Sequence, residues 1–156
     1  MKRNNNSKMV YLASMIFTFF LPMQIFAGEP TKKETIDFIL KKADNVNDSY
    51  YKQSLSFDGC GLVIKSTSIK FGFTMISYID FSKLDPSKVI SETGDYFVWM
   101  ETKERKQVIK NEWTNDPKVL YTLFAKFFTN SSDDAGKVAK ALRHLIKLCG
   151  GTEELF

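Results

Sequence analysis

Histidine is almost absent from this sequence: His144 is the only one among 156 residues. Metal sites built from paired histidines are therefore excluded. His144 is also badly placed to act as a base for Cys149, because side chains five residues apart on a helix do not share a face. We interpret His144 as a helix residue at the rim of the core. The sequence predicts no metal ligand and no cofactor.

Other familiar catalytic patterns are missing as well. No serine lies in a Gly-x-Ser-x-Gly setting, and Gly59 and Gly61 precede a predicted strand instead of the helix that a phosphate-binding loop requires. Asp133 and Asp134 are explained by their place at a helix start, where the helix dipole favours acids. We therefore predict a non-catalytic protein and name no catalytic residue. A hydrolase with an unrecognised site stays open as the least favoured hypothesis.

The first 27 residues have the three zones of a secretory signal peptide: a basic start, an apolar run over 9–20, and a less regular stretch that ends in Ala27. The alternative is an uncleaved membrane anchor, which needs about 20 apolar residues. Pro22 and Gln24 interrupt the run and favour cleavage after Ala27. A lipid-anchored form is not expected, because the cut is not followed by a cysteine. We expect no stable membrane anchor once the leader is removed.

The net positive charge is small once this leader is set aside. The chain has 22 Lys and Arg against 18 Asp and Glu, and the leader holds three of the basic residues and no acid, which leaves 19 against 18. The short basic group 103–106 is interrupted by an acid, whereas nucleic-acid-binding proteins carry clustered basic faces. We expect no nucleic-acid partner. Residues 28–156 fit one globular domain, exported to the periplasm or secreted.

Only two cysteines are present, Cys60 and Cys149. An even number in a chain that reaches an oxidising compartment allows a disulfide, which would tie the first strand to the last helix. Closing a loop of about 90 residues could stabilise the fold by roughly 4 kcal/mol. The alternative is two buried free thiols, since cysteine is among the most buried residue types. The sequence leaves the choice open.

Local signals predict a helix near each end of the domain. Thr31 and Glu34 have the spacing of a capping box, so a helix should run over 32–43. A second helix should begin after Ser131 or Ser132 and end at the glycine pair 150–151. Its apolar stripe should cover a sheet or the mouth of a barrel; the stripe consists of Val138, Leu142, Leu145, Ile146 and Cys149.

Alternation between apolar and polar residues predicts strands between the helices. The expected strands are 54–65, 69–81, 89–90, 96–101, 107–113 and 119–128. Turn signals between them recur at spacings of roughly ten residues, which is typical of an antiparallel sheet that curls or closes into a small barrel. The predicted fold class is α+β, with a curled antiparallel sheet or small barrel, an N-terminal helix and a C-terminal capping helix.

The segments 31–39 (TKKETIDFI) and 139–151 (AKALRHLIKLCGG) complete a helix-strands-helix layout. This layout resembles a loose group of small exported bacterial proteins with a pleckstrin-homology-like barrel, in which the C-terminal helix plugs a curled sheet. The resemblance implies a binding or scaffolding role without a specific ligand. Phosphoinositide-binding members of that fold use a basic loop between early strands, and here the matching region offers only Lys65 and Lys70. That difference argues against phosphoinositide binding.

Aromatic residues are unusually frequent, at 14% of the chain. Most should fill the interior, since aromatics dominate core burial. Some could instead form an exposed apolar surface, which usually marks an interaction site. Trp99 and Trp113 are the candidate binding aromatics: a core tryptophan would destabilise the fold when substituted, whereas a site tryptophan would lower binding only.

Three functional hypotheses follow, in order of preference. The first is an exported binding module whose partner is another envelope or secreted protein, such as an inhibitor or immunity-type partner. The second is a carrier of an apolar small molecule or lipid inside the curled sheet, motivated by the aromatic excess. The third is the hydrolase named above, which only an activity screen would reveal.

Overall fold

The computed structural model describes residues 28–47, 49–91, 94 and 96–153. The predicted leader, residues 1–27, lies outside the described residues. Two helices flank seven strands in the described chain. Their order is α1 (Lys32–Ala43), β1 (Tyr51–Asp58), β2 (Gly61–Ser68), β3 (Thr74–Asp80), β4 (Phe97–Glu101), β5 (Ile109–Trp113), β6 (Asp116–Thr122), β7 (Phe124–Phe128) and α2 (Ser132–Leu148).

Both predicted helices are confirmed. Helix α1 begins with the capping box: the Glu34 amide donates to Thr31 Oγ1 at 3.3 Å, and the Thr31 amide donates to Glu34 Oε2 at 2.8 Å. Helix α2 is capped by Ser131, whose hydroxyl accepts from the Asp134 amide at 3.2 Å. Its predicted stripe faces the core, where Val138, Leu142, Leu145 and Ile146 are fully buried.

The strands form two antiparallel sheets. A five-stranded sheet has the order β1-β2-β3-β5-β6, and a two-stranded sheet pairs β4 with β7. The α+β class and the antiparallel sheet are therefore confirmed. Closure of the sheet into a barrel is not confirmed, because β7 pairs with β4 and not with β1. The chain leaves the large sheet at Leu123, whose carbonyl accepts from the Thr102 amide at 2.9 Å.

Three strand predictions were wrong in their limits. The segment 54–65 is a hairpin instead of one strand, because Gly59 adopts a φ of 59° and turns β1 into β2. The segment 69–81 contains a strand only from Thr74, because Gly72 has a φ of 68° and residues 69–73 form a turn. The segment 119–128 is split at Leu123 into β6 and β7.

The strand predicted at 89–90 is reduced to a single bridge, in which Ile90 pairs with Trp99. The strands predicted at 96–101 and 107–113 are confirmed as β4 and β5, shorter by one and two residues at their starts.

The core lies between the large sheet, the inner face of the small sheet and helix α2. It contains Leu62 and Ile64 from β2, Val98 and Met100 from β4, and Phe127 from β7, all at most 2% exposed. Side chains of α2 fill the space beside the sheets. This packing makes the two sheets and α2 one unit.

An ion pair joins the helices. Lys42 Nζ lies 2.8 Å from Asp134 Oδ1, and the hydrogen bond from Lys42 holds the pKa of Asp134 below its ordinary value, with a smaller contribution from Ser131. Because the pKa is lower in the folded chain, the carboxylate stabilises the fold above its unfolded pKa, near 3.8. That stabilisation is lost as the pH falls below this value and through the lowered pKa of the folded chain.

We therefore expect Asp134→Asn to flatten the acid limb of the stability curve. The gap in melting temperature between wild type and variant should be largest at neutral pH and shrink below about pH 4. Asp133→Asn, which removes the neighbouring exposed carboxylate, is the matched control. A gap that stays constant with pH for Asp134→Asn would contradict the pKa direction.

Candidate binding surface

The small sheet turns one face to the core and the other to solvent. Side chains alternate along β4, where Val98 and Met100 are fully buried while Phe97 and Trp99 are only partly buried. Along β7, Ala125 and Phe127 are buried and Phe124 is 45% exposed. The outward row thus carries large aromatic side chains on both strands. We call the group Phe97, Trp99, Phe124 and Lys126 the outer aromatic face.

These aromatic rings contact one another. The rings of Trp99 and Phe124 have centroids 5.1 Å apart, and those of Phe97 and Trp99 lie 5.9 Å apart with an edge-to-face geometry. Such pairs contribute about 0.5–1.5 kcal/mol beyond the area that they bury. These ring contacts stabilise the positions of the side chains although solvent reaches them.

Lys126 lies across from Trp99 in the β4–β7 register. Its Nζ is 5.5 Å from the Phe97 ring centroid and 5.3 Å from that of Trp99, within the range of cation–π attraction. The outer aromatic face therefore presents a positive charge above its rings.

A shallow groove continues this surface. It has a volume of about 320 Å³ and is lined in part by Ile90, Trp99, Arg105 and Phe124. Arg105 Nε lies 3.3 Å from Glu101 Oε1, so its guanidinium is held beside the rings. Tryptophan and arginine dominate the energetics of protein interfaces. The groove places both next to an exposed isoleucine.

A buried glutamine holds this small sheet against the large one. Gln53 of β1 donates through Nε2 to the carbonyls of Ala43 at 3.0 Å and Phe128 at 2.9 Å, and its Oε1 accepts from the Phe128 amide at 2.8 Å. Its side chain occupies the place of a backbone ladder between β1 and β7. The position of the outer aromatic face therefore depends on Gln53.

The structure separates the two candidate tryptophans. Trp113 belongs to the large sheet and lines a different groove with Phe73 and Leu120. Only Trp99 is part of the outer aromatic face. Sequence reasoning did not assign Phe97, Phe124 or Lys126 to a site. The signal for Phe97 was its two-residue spacing from Trp99.

A second apolar groove lies between the helices. It has a volume of about 700 Å³, with Phe38 of α1 and Ala141 of α2 in its lining, and Lys137, Lys140 and His144 also border it. His144 lies at the rim of the core, as interpreted, and its Nε2 is 2.8 Å from the Pro30 carbonyl oxygen. That contact gives the only histidine of the sequence a structural role.

Of the two alternatives that the sequence left open for the cysteines, the structure has the disulfide. Cys60 in the β1–β2 turn is bonded to Cys149 at the end of α2, with their Cα atoms 5.6 Å apart. The alternative of two free thiols is thus excluded. Lys32 Nζ of α1 lies 3.2 Å from Cys60 Sγ. The bond connects the large sheet to the helix that covers the core, and it agrees with export to an oxidising compartment.

One surface cluster joins three titratable groups of the large sheet. Lys110 Nζ lies 2.5 Å from Glu112 Oε1, and this contact, followed by the hydrogen bond from Tyr78, lowers the pKa of Glu112. A general acid at neutral pH needs a carboxyl pKa raised toward 7. The cluster fits an ion pair within β5, joined by Tyr78 of the neighbouring β3, better than an acid–base site.

No group of three or more metal-ligating side chains occurs within the described part of the chain. Neither helix there has the length and hydropathy needed to cross a membrane. Comparison with family models, with curated proteins and with solved structures gave no significant match. The function is therefore argued from the surface itself.

Proposed function

We propose that this protein is a non-catalytic exported binding module that recognises another envelope or secreted protein through the outer aromatic face. The observation that carries the proposal is the ring contact of Trp99 with Phe97 and Phe124 on a sheet face turned away from the core. Clustered exposed aromatics usually mark interaction sites. Arg105 and Lys126 favour an acidic partner surface around the apolar centre.

Rigid aromatic anchors suit protein recognition because little side-chain entropy is lost on binding. The inner face of the small sheet is packed into the core, so the outer rings are preorganised. The likeness to pleckstrin-homology-like exported proteins stays a prediction. The support for it is an antiparallel sheet packed by a C-terminal helix, in keeping with a scaffold for binding.

The test is recovery of a partner with matched variants. The chain is expressed with its leader in the native host and purified through a C-terminal tag, and co-purifying proteins are identified by mass spectrometry. We expect one stoichiometric partner. Trp99→Ala should weaken its binding by about 2 kcal/mol or more, roughly thirtyfold in Kd, as removal of an interface hot spot does.

Trp113→Ala is the matched control and should change the Kd by less than about threefold. Phe124→Glu provides a second variant, because this 45% exposed side chain can be replaced without opening the core. Thermal melting checks that each variant folds. Unchanged binding by folded Trp99→Ala and Phe124→Glu would refute the proposed surface.

A carrier of an apolar molecule is the second candidate, and the groove between α1 and α2 favours it. Its volume of about 700 Å³ lies within the usual range for small-molecule sites, about 300–1,000 Å³. Lys137 and Lys140 at its border would suit an acidic head group. The space beside the sheets is filled by α2, so the ligand belongs in this groove and not inside the sheet. A lipid recovered by solvent extraction of the purified protein, and lost in Ala141→Trp, would support this candidate.

A further inference from the structure

The two edges of the large sheet differ in the hydrogen bonding of their outward backbone groups. At the β1 edge, the Gln53 amide donates to the Val46 carbonyl at 2.8 Å and the Leu55 amide donates to Asp44 Oδ1 at 2.7 Å. The segment after α1 thus satisfies two outward amides of β1. At the other edge lies β6, and no described strand pairs with its far side.

The apolar residues of β6 are exposed on both faces of the sheet. Val119, Leu120 and Tyr121 are 45%, 52% and 49% exposed. Natural proteins protect edges with charges, prolines and bulges, since a bare apolar edge recruits another strand. Pro117 and Lys118 protect only the start of β6, which leaves 119–121 open.

The hydrogen-bond pattern shows which backbone groups of β6 point outward. The Thr114 amide donates to the Thr74 carbonyl at 3.0 Å, so by alternation Glu112 and Lys110 direct their backbone groups toward β3. Asn111, between them, directs its groups toward Leu120 of β6. The amides and carbonyls of the residues on either side of Leu120 therefore point away from the sheet.

The available stretch is bounded on both sides. Pro117 has no amide to donate, and the Leu123 carbonyl already accepts from the Thr102 amide at 2.9 Å. Val119 and Tyr121 thus remain as the paired donors and acceptors, placed symmetrically about Leu120. An antiparallel strand with the same spacing would satisfy both.

We propose that this protein forms a two-fold symmetric dimer in which β6 pairs antiparallel with β6 of a second copy, centred on Leu120. Val119 of each copy exchanges both backbone hydrogen bonds with Tyr121 of the other. Leu120 faces Leu120 of the second copy across a non-hydrogen-bonded pair. The two five-stranded sheets become one continuous sheet.

Self-complementarity of β6 supports a second copy as the occupant, because the outward donors and acceptors of Val119 and Tyr121 match each other in the two-fold register. In the register within one copy, Glu112 lies beside Val119 and Lys110 lies beside Tyr121. Across the proposed dimer, Glu112 and Val119 of one copy then lie in line with Tyr121 and Lys110 of the other, so each such row of side chains has an acid at one end and a base at the other. Like charges meet nowhere along the paired strands, and apolar or aromatic pairs oppose each other at the centre, which stabilises adjacent strands. The proposal does not depend on the proposed function, because the outer aromatic face belongs to the small sheet.

Sedimentation of the exported protein, in the form that the cell produces, tests the dimer over a wide concentration range, since strand-edge interfaces are small. We expect a dimer whose Kd rises about tenfold or more in Leu120→Lys, because two lysines would then oppose each other. Ile69→Lys, at a residue 48% exposed in the turn before β3, is the matched control and should leave the Kd unchanged. A monomer at all concentrations, or a dimer that Leu120→Lys does not weaken, would overturn the proposal.

Engineered cysteines test the register even if a lysine variant fails to fold. Directly opposed residues in a non-hydrogen-bonded pair have Cα atoms about 4.5 Å apart, within the disulfide range of about 4.4–6.8 Å. Leu120→Cys should therefore form an intermolecular disulfide in air, identified by peptide mapping. Val119→Cys should not form one, because the two Val119 residues of the dimer lie diagonally from each other, at about 7–8 Å. Cross-linking of Val119→Cys with none for Leu120→Cys would overturn the proposed register.

Discussion

Replacing both cysteines with alanine, Cys60→Ala with Cys149→Ala, is expected to lower the free energy of unfolding by about 4 kcal/mol. The bond closes a loop with a sequence separation of 89, and removing it lets the unfolded chain explore far more conformations. For a domain of this size the melting temperature should fall by roughly 15 °C. Chemical denaturation with and without reductant measures the same effect in the wild-type chain.

The folded state itself should change little, because the loss lies mainly in the unfolded chain. Near-ultraviolet circular dichroism of the double variant at low temperature should therefore match that of the wild type. Thiol titration in denaturant should find no free thiol in the wild-type protein. Two free thiols there, or a melting temperature insensitive to reductant, would contradict the expected stabilisation.

Gln53→Ala is expected to destabilise the fold by about 2–4 kcal/mol, although it removes one uncharged side chain. Three backbone groups would lose their partner: the carbonyls of Ala43 and Phe128 and the Phe128 amide. A fully buried polar group left without a partner costs about 1–3 kcal/mol, and the two bonds to Phe128 are only partly buried, so water can replace part of their loss. Urea denaturation measures the loss, and Gln107→Ala, at an exposed position, should stay within about 0.5 kcal/mol of wild type.

The variant Gln53→Glu tests the same role of Gln53 through the pH dependence of stability. The carboxylate keeps the acceptor for the Phe128 amide but places a negative charge against two carbonyl oxygens, so its pKa should rise in the folded state. Protonation restores one donor, and the loss in stability relative to wild type should therefore shrink as the pH falls. A penalty that does not change with pH would show that Gln53 does not bridge the sheets through its amide.

Gln53 also links stability to binding. Since Phe128 is its partner and β7 carries Phe124, a folded Gln53 variant should displace the outer aromatic face and weaken partner binding. The effect on binding should be smaller than that of Trp99→Ala, which removes the central ring.

Local signals were sufficient to predict both helices from the sequence. The capping residues Thr31 and Ser131 lie within three residues of the amides that they cap, and the stripe on α2 follows a fixed helical period. The disulfide needed more than the sequence, because two cysteines with a separation of 89 say nothing about proximity until the fold brings the β1–β2 turn to the end of α2.

The strand limits failed where alternation continued through a turn. Ile69, Phe71 and Phe73 keep the period of β3, but Gly72 has a left-handed backbone that ends the pairing. Alternation also cannot show which face meets the core. In β6 neither face does so fully, and the apolar run 119–121 lies at an exposed edge.

The outer aromatic face was only partly predictable for a related reason. Trp99 could be named from the sequence as a candidate binding residue, but Phe124, whose ring contacts it, lies on a strand far along the chain. The two meet because Glu101 pairs with Phe124 in the β4–β7 register. A register between distant strands depends on the whole fold and not on local spacing.

The position of α2 after all seven strands sets the time at which the protein can fold. Leu142, Leu145 and Ile146 fill the core, and Cys149 closes the disulfide, so the strands have no completed interior until the last helix has left the ribosome. Until then the chain has no completed core. In a chain that crosses a membrane channel while it is still being made, the strands would thus reach the far side before a completed core could obstruct their passage.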